Sequence, residues 1–389
     1  MTTRVLIAGA GPAALETALA LRHDAPGLVE VTLLAPETHF AYKPISVAEP
    51  FALGATRRYE LRSIAEDLGA TLVPGTLEEV DVAARRVLPR AGRDLPYDAL
   101  VIAIGARPIP IPEATSFWGP DDAETLHGLV QDVEMGYTRR VAFVVPSGPC
   151  WPLPLYELAI MTAERAYDMY SSPEVHLVTP EAAPLEVFGD GPSAAVREML
   201  EHARVTLHTG TDAVVERRAV LLGTAGERLE VDRVVALPRL AGREIAGVPH
   251  DDAGFIPVDE LGLVRGLAGV YAAGDVADFP VKQGGIATQQ ADAVASAIAA
   301  RAGADVVPRP FEPVLRGMLL TERRPQWLQG ASAGPEGAVA APHPLWWPPT
   351  KVVGRRLAPY LLDLDEHGAA GSARHGLPIE VRLARASDA

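Results

Sequence analysis

Six residues near the N-terminus, Gly9-Ala10-Gly11-Pro12-Ala13-Ala14, have the types and spacing to cradle a diphosphate. In a G-x-G-x-x-A turn, Gly9 permits a tight reversal, Gly11 lets a phosphate approach the backbone, and small Ala14 lets helix and strand pack closely. Phosphate oxygens then meet the free N–H groups at the positive end of a helix. Lysines form the second group. Lys43, Lys282 and Lys351 are the only three among 35 basic side chains, the rest being arginine. Each reads either as a placed charge or as an ordinary solvated side chain. Cys150 is the sole cysteine, which excludes a CxxC redox pair, an internal disulfide and a cysteine-built zinc site; no metal is expected.

The elements that must position these groups follow from the apolar pattern. Arg4–Ala8 reads as a buried strand, Leu15–Arg22 has helical periodicity, and Val29–Leu34 is a second apolar strand. Together they make a βαβ unit around the glycine turn. An acid that would hold an adenosine ribose is missing from the end of the second strand, where Ala35 stands, and Glu37 is the candidate in its place. Part of the pattern recurs. Thr71, Leu72, Gly75, Thr76, Val80, Leu95 and Asp98 are matched by Thr206, Leu207, Gly210, Thr211, Val215, Leu229 and Asp232. A second βαβ pattern, Arg140–Val145, Leu155–Tyr170 and Val175–Thr179, precedes the second copy. The chain is therefore expected to be α/β, with two Rossmann-like, three-layer dinucleotide-binding domains, the second inserted in the first. The expected boundaries are 1–112 with 240–300 for the outer domain and 113–239 for the inserted one. Residues 301–389 are expected to form a C-terminal α+β platform that includes a short strand over Pro378–Leu383.

Composition sets the outer limits. A chain of 389 residues with 48% hydrophobic content is long enough for several cores. Fifty acidic side chains against 35 basic give a net charge of −15, which argues against nucleic acid as a partner. No run of about 18 apolar residues would span a membrane. The N-terminus enters its first strand without a signal-peptide pattern, so a soluble, cytoplasmic protein is expected.

Gly269–Ala299, GVYAAGDVADFPVKQGGIATQQADAVASAIA, resembles the second FAD motif of the two-dinucleotide-binding-domain flavoproteins. Val101-Ile102-Ala103-Ile104-Gly105 resembles their middle motif, a strand ending in A-T-G. The resemblance covers about residues 4–300 and implies a FAD-dependent oxidoreductase. It puts Gly9, Gly11, Pro12, Ala13, Ala14, Glu37, Ala103, Gly105 and Gly274 around the cofactor and Asp275 at its ribityl chain. The helix after Gly284-Gly285 would aim its N-terminus at the flavin, favouring negative charge there. Within these pyridine nucleotide-disulphide oxidoreductase-like proteins, the chain is most similar to the sulfide:quinone oxidoreductase and type II NADH dehydrogenase branch. Phe40-Ala41-Tyr42-Lys43-Pro44 resembles the branch segment beside the flavin, and Ala287-Thr288-Gln289-Gln290 the signature near a quinone pocket. Lys282, in a K-x-G turn, would set a positive charge by the flavin or be a solvated loop residue.

On the donor side the chain departs from both relatives. The strand Arg140–Val145 leads into Pro146-Ser147-Gly148-Pro149-Cys150-Trp151-Pro152-Leu153-Pro154, where a second glycine fingerprint would hold NAD(P)H. Prolines there remove N–H groups, and no acid stands before Glu181, so NAD(P)H remains an open alternative as donor. Cys150 is a candidate nucleophile towards sulfur or a small buried residue. Trp151 and Tyr156 suit a lid over an apolar substrate, and Glu157 is either an acid–base group or a favourable charge at a helix start. Trp346-Trp347-Pro348-Pro349 followed by Lys351–Leu357 suggests an aromatic hairpin and a basic amphipathic helix, which would allow peripheral contact with the inner face of a membrane or an oligomer contact. The expected reaction passes electrons from a small donor through FAD to an acceptor, with quinone the leading candidate. A flavin-bound scaffold without turnover is the alternative of another class.

Overall fold

The computed structural model describes residues 2–330 and 337–371; the strand expected over Pro378–Leu383 lies outside them. The chain opens with β1 (Thr3–Ala8), α1 (Pro12–Asp24), β2 (Val29–Ala35), β3 (Thr71–Pro74) and β4 (Ala99–Ile102). There follow β5 (Thr115–Ser116), β6 (Arg140–Val144), α2 (Leu153–Asp168), β7 (Glu174–Val178), β8 (Val205–His208) and β9 (Arg233–Ala236). The last third supplies β10 (Val270–Ala272), α3 (Gly284–Arg301), β11 (Arg316–Leu319), β12 (Gln326–Gln329), β13 (Val339–Ala341) and α4 (Leu357–Gly371).

Two five-stranded sheets, wholly parallel, carry the fold. The first has the order β10-β4-β1-β2-β3 and the second β5-β9-β6-β7-β8. Parallel strands covered on both faces need continuous apolar runs rather than alternation. Val5–Ala8 and Val141–Val144 are such runs, and all eight side chains are buried. The repeat read from the sequence is also a repeat of bonds. Asp98 accepts the backbone N–H of Arg4 at 2.9 Å, and Asp232 accepts that of Arg140 at 2.9 Å. Each aspartate thus satisfies an amide near the start of its central strand and pairs with the same arginine's side chain. A three-stranded antiparallel meander follows β3 in one half and β8 in the other.

Alanine lets helices approach closely, and α1 and α3 meet in one core through Ala13, Ala14, Ala18, Ala287, Ala291 and Ala295. Buried within that core is Glu16, whose carboxylate accepts the N–H groups of Arg356 and Leu357 at 2.7 Å each. These are among the unsatisfied donors at the start of α4. Arg356 extends the clasp by donating to Asp24 and Asp292. Burial pushes the Glu16 carboxyl up to about 7.

The platform is an antiparallel sheet, β11-β12-β13, while α4 packs Leu357 and Leu361 into the core of α1 and α3. Here one expectation fails. Lys351–Leu357 is not a basic amphipathic helix: Lys351 and Val352 are buried, Arg356 is held by acids, and α4 begins only at Leu357. Trp327 and Trp346 meet edge to face at 4.5 Å, and of these three tryptophans Trp347 alone is exposed. Among the described residues no helix is long and apolar enough to cross a membrane.

Candidate active site

The C-terminal ends of the first sheet open into a cavity of about 890 Å³, within the usual range for a cofactor site. The turn between β1 and α1 gives Gly9, Gly11, Pro12 and Ala13 to its wall; Glu37 follows from beyond β2, and Ala103 and Gly105 from beyond β4. Gly274 and Asp275 enter after β10, and Lys282 and Gly284 lead into α3. Lys43 and Pro44 close one side and Cys150 another. Two of the expected residues stand one layer back. Ala14 is wholly buried in the helix packing, and Gly285 lies inside α3, where its carbonyl accepts Thr288 and Gln289 side chains.

The wall fits a flavin dinucleotide. A Cβ on Gly9 would collide with the Ala103 carbonyl, so the turn can lie this close to β4 only with glycine. A Cβ on Gly11 would meet nothing within 4 Å, because that position faces open cavity. Among the described residues no side chain caps α1, so its first N–H groups are left for a diphosphate. Asp275, beside Gly274, accepts no hydrogen bond among the described residues. Burial pushes its carboxyl up to about 6, while Lys282 and Lys43 pull it back. Such a carboxylate suits the hydroxyls of a ribityl chain. Glu37 stands exposed at the other end of the same cavity. Gln290 holds this wall in shape, its side-chain oxygen accepting the Gly274 N–H at 2.7 Å where Gly274 takes a left-handed φ of 81°. Its neighbour Gln289 exchanges hydrogen bonds with Val314 on the way to the platform. Of the A-T-Q-Q segment, then, Ala287 reaches the cavity and the two glutamines hold backbone.

All three lysines of the chain border this one cavity. Lys282 is buried, donates to the Ala277 carbonyl at 2.5 Å and sits 3.7 Å above the Phe255 ring. Burial pushes it down to about 8 against the pull of Asp275, Asp278 and Asp251. Lys43 is exposed, with its ammonium 5.8 Å from the Trp118 ring centre. Lys351 is buried and donates to both oxygens of Glu157, at 2.5 and 2.7 Å. Glu157, with no exposure at all, also accepts the Leu320 N–H at 2.7 Å. Burial raises the Glu157 carboxyl and lowers the Lys351 ammonium, and their mutual attraction opposes both. This pair joins α2 to the platform at the cavity wall; neighbouring Val352 donates its N–H to the Tyr42 hydroxyl at 2.8 Å.

Cys150 is half-buried, with Sγ 4.0 Å from the Pro146 carbonyl oxygen. Burial, aided by Glu181, pushes its thiol up to about 12, which keeps the sulfur protonated near neutral pH. Its backbone bridges to Val281 and so ties the proline-rich loop to the Lys282 turn.

Sheet order, the glycine turn and the cavity at the strand ends, with Asp275 in its wall, define a dinucleotide-binding oxidoreductase. The chain matches the pyridine nucleotide-disulphide oxidoreductase family over residues 3–300 and belongs to it. It is a FAD-dependent oxidoreductase. Among curated relatives, an "Oxidoreductase ptaL" of Pestalotiopsis fici is 26% identical over 279 residues, 65% of this chain and 70% of the relative. The ferredoxin–NAD(+) reductase component of the p-cumate 2,3-dioxygenase system of Pseudomonas putida is 25% identical over 304 residues, 72% of this chain and 68% of that one. Among solved structures, the sulfide:quinone oxidoreductase of Aquifex aeolicus superposes with a TM-score of 0.78 at 19% identity, covering 87% of each chain. That likeness is one of fold.

Proposed function

We propose that this enzyme accepts electrons from a small donor and passes them through FAD to a quinone. The observation that carries the reading is the buried Glu157–Lys351 pair, in which Lys351 lines the cavity and Glu157 stands behind it. Reducing a quinone to a quinol consumes two electrons and two protons. Bound FAD supplies the two-electron chemistry that no side chain here offers. Lys351 supplies a proton-bearing group at Nζ, and Glu157 keeps that ammonium charged in a buried setting and orients it. Lys43 and Lys282 add positive charge on the side of Asp275, and Trp118, Trp151 and Met318 give the cavity apolar surface for a ring. The proposed residues in contact with FAD are those of the cavity wall named above, with Ala14 and Gly285 supporting them. We further propose the division 1–112 with 240–300, 113–239 and 301–389 for the three domains. The sulfide:quinone oxidoreductase is similar in fold; the ferredoxin reductase component makes a carrier protein the competing acceptor.

The test is anaerobic. The protein is reduced with dithionite, freed of excess reductant, and mixed with a water-soluble quinone while the flavin band is followed. Rapid return of the band in wild type, slowed in Glu157→Gln, supports the reading. Return that is slow with quinone and fast with a ferredoxin would overturn it.

A further inference from the structure

We infer that the second sheet keeps the dinucleotide fold without the dinucleotide site, so that NADH and NADPH are not the electron donors; this rests on the flavin reading above. Three independent observations converge on the N-terminus of α2, where a nicotinamide dinucleotide would lay its diphosphate.

The first is a lack of donors. Pro152 is the N-cap of α2 and Pro154 lies in its first turn, neither with an N–H to offer. The N–H of Leu155 is already spent on the Pro152 carbonyl at 2.9 Å. The second is a lack of room. Trp151 packs edge-on against Phe188 at 5.7 Å, and β11 of the platform lies across both Phe188 and Leu153. It lies so close that a Cβ on Gly317 would come within 2.6 Å of the Phe188 ring and 2.8 Å of Leu153. The third concerns the acid beyond β7. Glu181 is there, but its carboxylate accepts the Tyr156 hydroxyl at 2.7 Å and the Thr179 hydroxyl at 2.9 Å. An adenosine ribose needs such a carboxylate free.

What the groove has gained is the platform. Glu157 accepts the Leu320 N–H, Glu164 accepts the Glu322 N–H at 2.9 Å, and Arg165 donates to the Glu322 carboxylate at 2.5 Å. One face of α2 therefore anchors β11 and the turn that follows it. The donor must then be a small reductant without an ADP-ribose handle, entering by the cavity itself.

Two measurements test this. Anaerobic holoprotein is mixed with NADH and, separately, NADPH, with dithionite as the positive control. ADP-ribose is then titrated into the protein by calorimetry, a readout other than the flavin band. A flavin band that persists with both nucleotides and bleaches with dithionite, together with no binding of ADP-ribose up to about 1 mM, is the expected result. Saturable bleaching by either nucleotide, or ADP-ribose binding below that concentration, would overturn the inference. The ADP-ribose titration is made on protein whose first groove is filled with FAD, so that any binding reports on the second; a protein that takes up no FAD would sink the flavin reading instead.

Discussion

After β1 the chain turns through Gly9 and Gly11 into a helix whose first N–H groups are free; after β6 it turns through Pro149, Trp151 and Pro152 into a helix whose start is walled in. Four strands keep one relative order in both sheets, β4-β1-β2-β3 and β9-β6-β7-β8, and an aspartate fastens the central strand of each; only the edge strand differs, coming last in the chain as β10 and first as β5. A dinucleotide fold and a dinucleotide site are thus separable properties. The fold rests on apolar strands and their hydrogen-bond ladder, whereas the site rests on a few residues that leave space and donors unused.

The contrast breaks most sharply at Gly11. Gly11→Val should abolish FAD retention, read as the flavin-to-protein absorbance ratio, because its side chain would fill the open space over α1. Gly148→Ala, at the matching loop of the second sheet, should leave flavin content unchanged and lower Tm slightly, reflecting about 1 kcal/mol of strain at a φ of 103°. Equal flavin loss in both variants would erase the distinction between the grooves.

Next in size is the pair that joins α2 to the platform. Lys351→Met leaves the Glu157 charge buried and unpaired, a change expected to cost about 3–5 kcal/mol in chemical denaturation. The double variant with Glu157→Gln should recover much of that loss. A Lys351→Met protein as stable as wild type would show that the pair does not hold the platform on the second sheet.

Glu16 should give a pH signature. Its carboxyl sits at about 7 in the folded chain against 4.5 as its ordinary value, so between those pH values the folded state binds the extra proton. The stability it contributes is present below pH 4.5 and is lost as pH rises through 7, by up to about 3 kcal/mol. In Glu16→Gln the slope of Tm against pH over that window should flatten; an unchanged slope would remove Glu16 as its source. Smallest of all is Cys150→Ser. With the thiol protonated near neutral pH, turnover should stay within about twofold of wild type. A collapse of turnover would return sulfur chemistry to that loop.

The sequence made the sheets legible because parallel strands buried on both sides announce themselves as short apolar runs. Asp98 and Asp232 were visible as members of a repeat, though their shared work at Arg4 and Arg140 was not. Contacts across long separations were the hardest to see. Glu157 and Lys351 are 194 residues apart, and the one hint was the scarcity of lysine in an arginine-rich chain. The same blindness made Lys351–Leu357 look like an exposed basic helix, since nothing local says that its lysine is buried against a glutamate on α2. Glu181 shows the same limit: its place beyond the strand was legible, whereas the return of its carboxylate to Thr179 and Tyr156 was not.

The pairing of β10 with β4 has a consequence for how the protein is made. A chain synthesised from its N-terminus releases all strands of the second sheet, the last ending at Ala236, before Val270–Ala272 leaves the ribosome. The inner unit can therefore finish folding while the outer sheet still waits with the edge of β4 unpaired. An unpaired parallel strand edge invites mispairing. Nascent chains stalled between residues 240 and 270 should thus be the aggregation-prone species, with a folded inner unit and an open outer one.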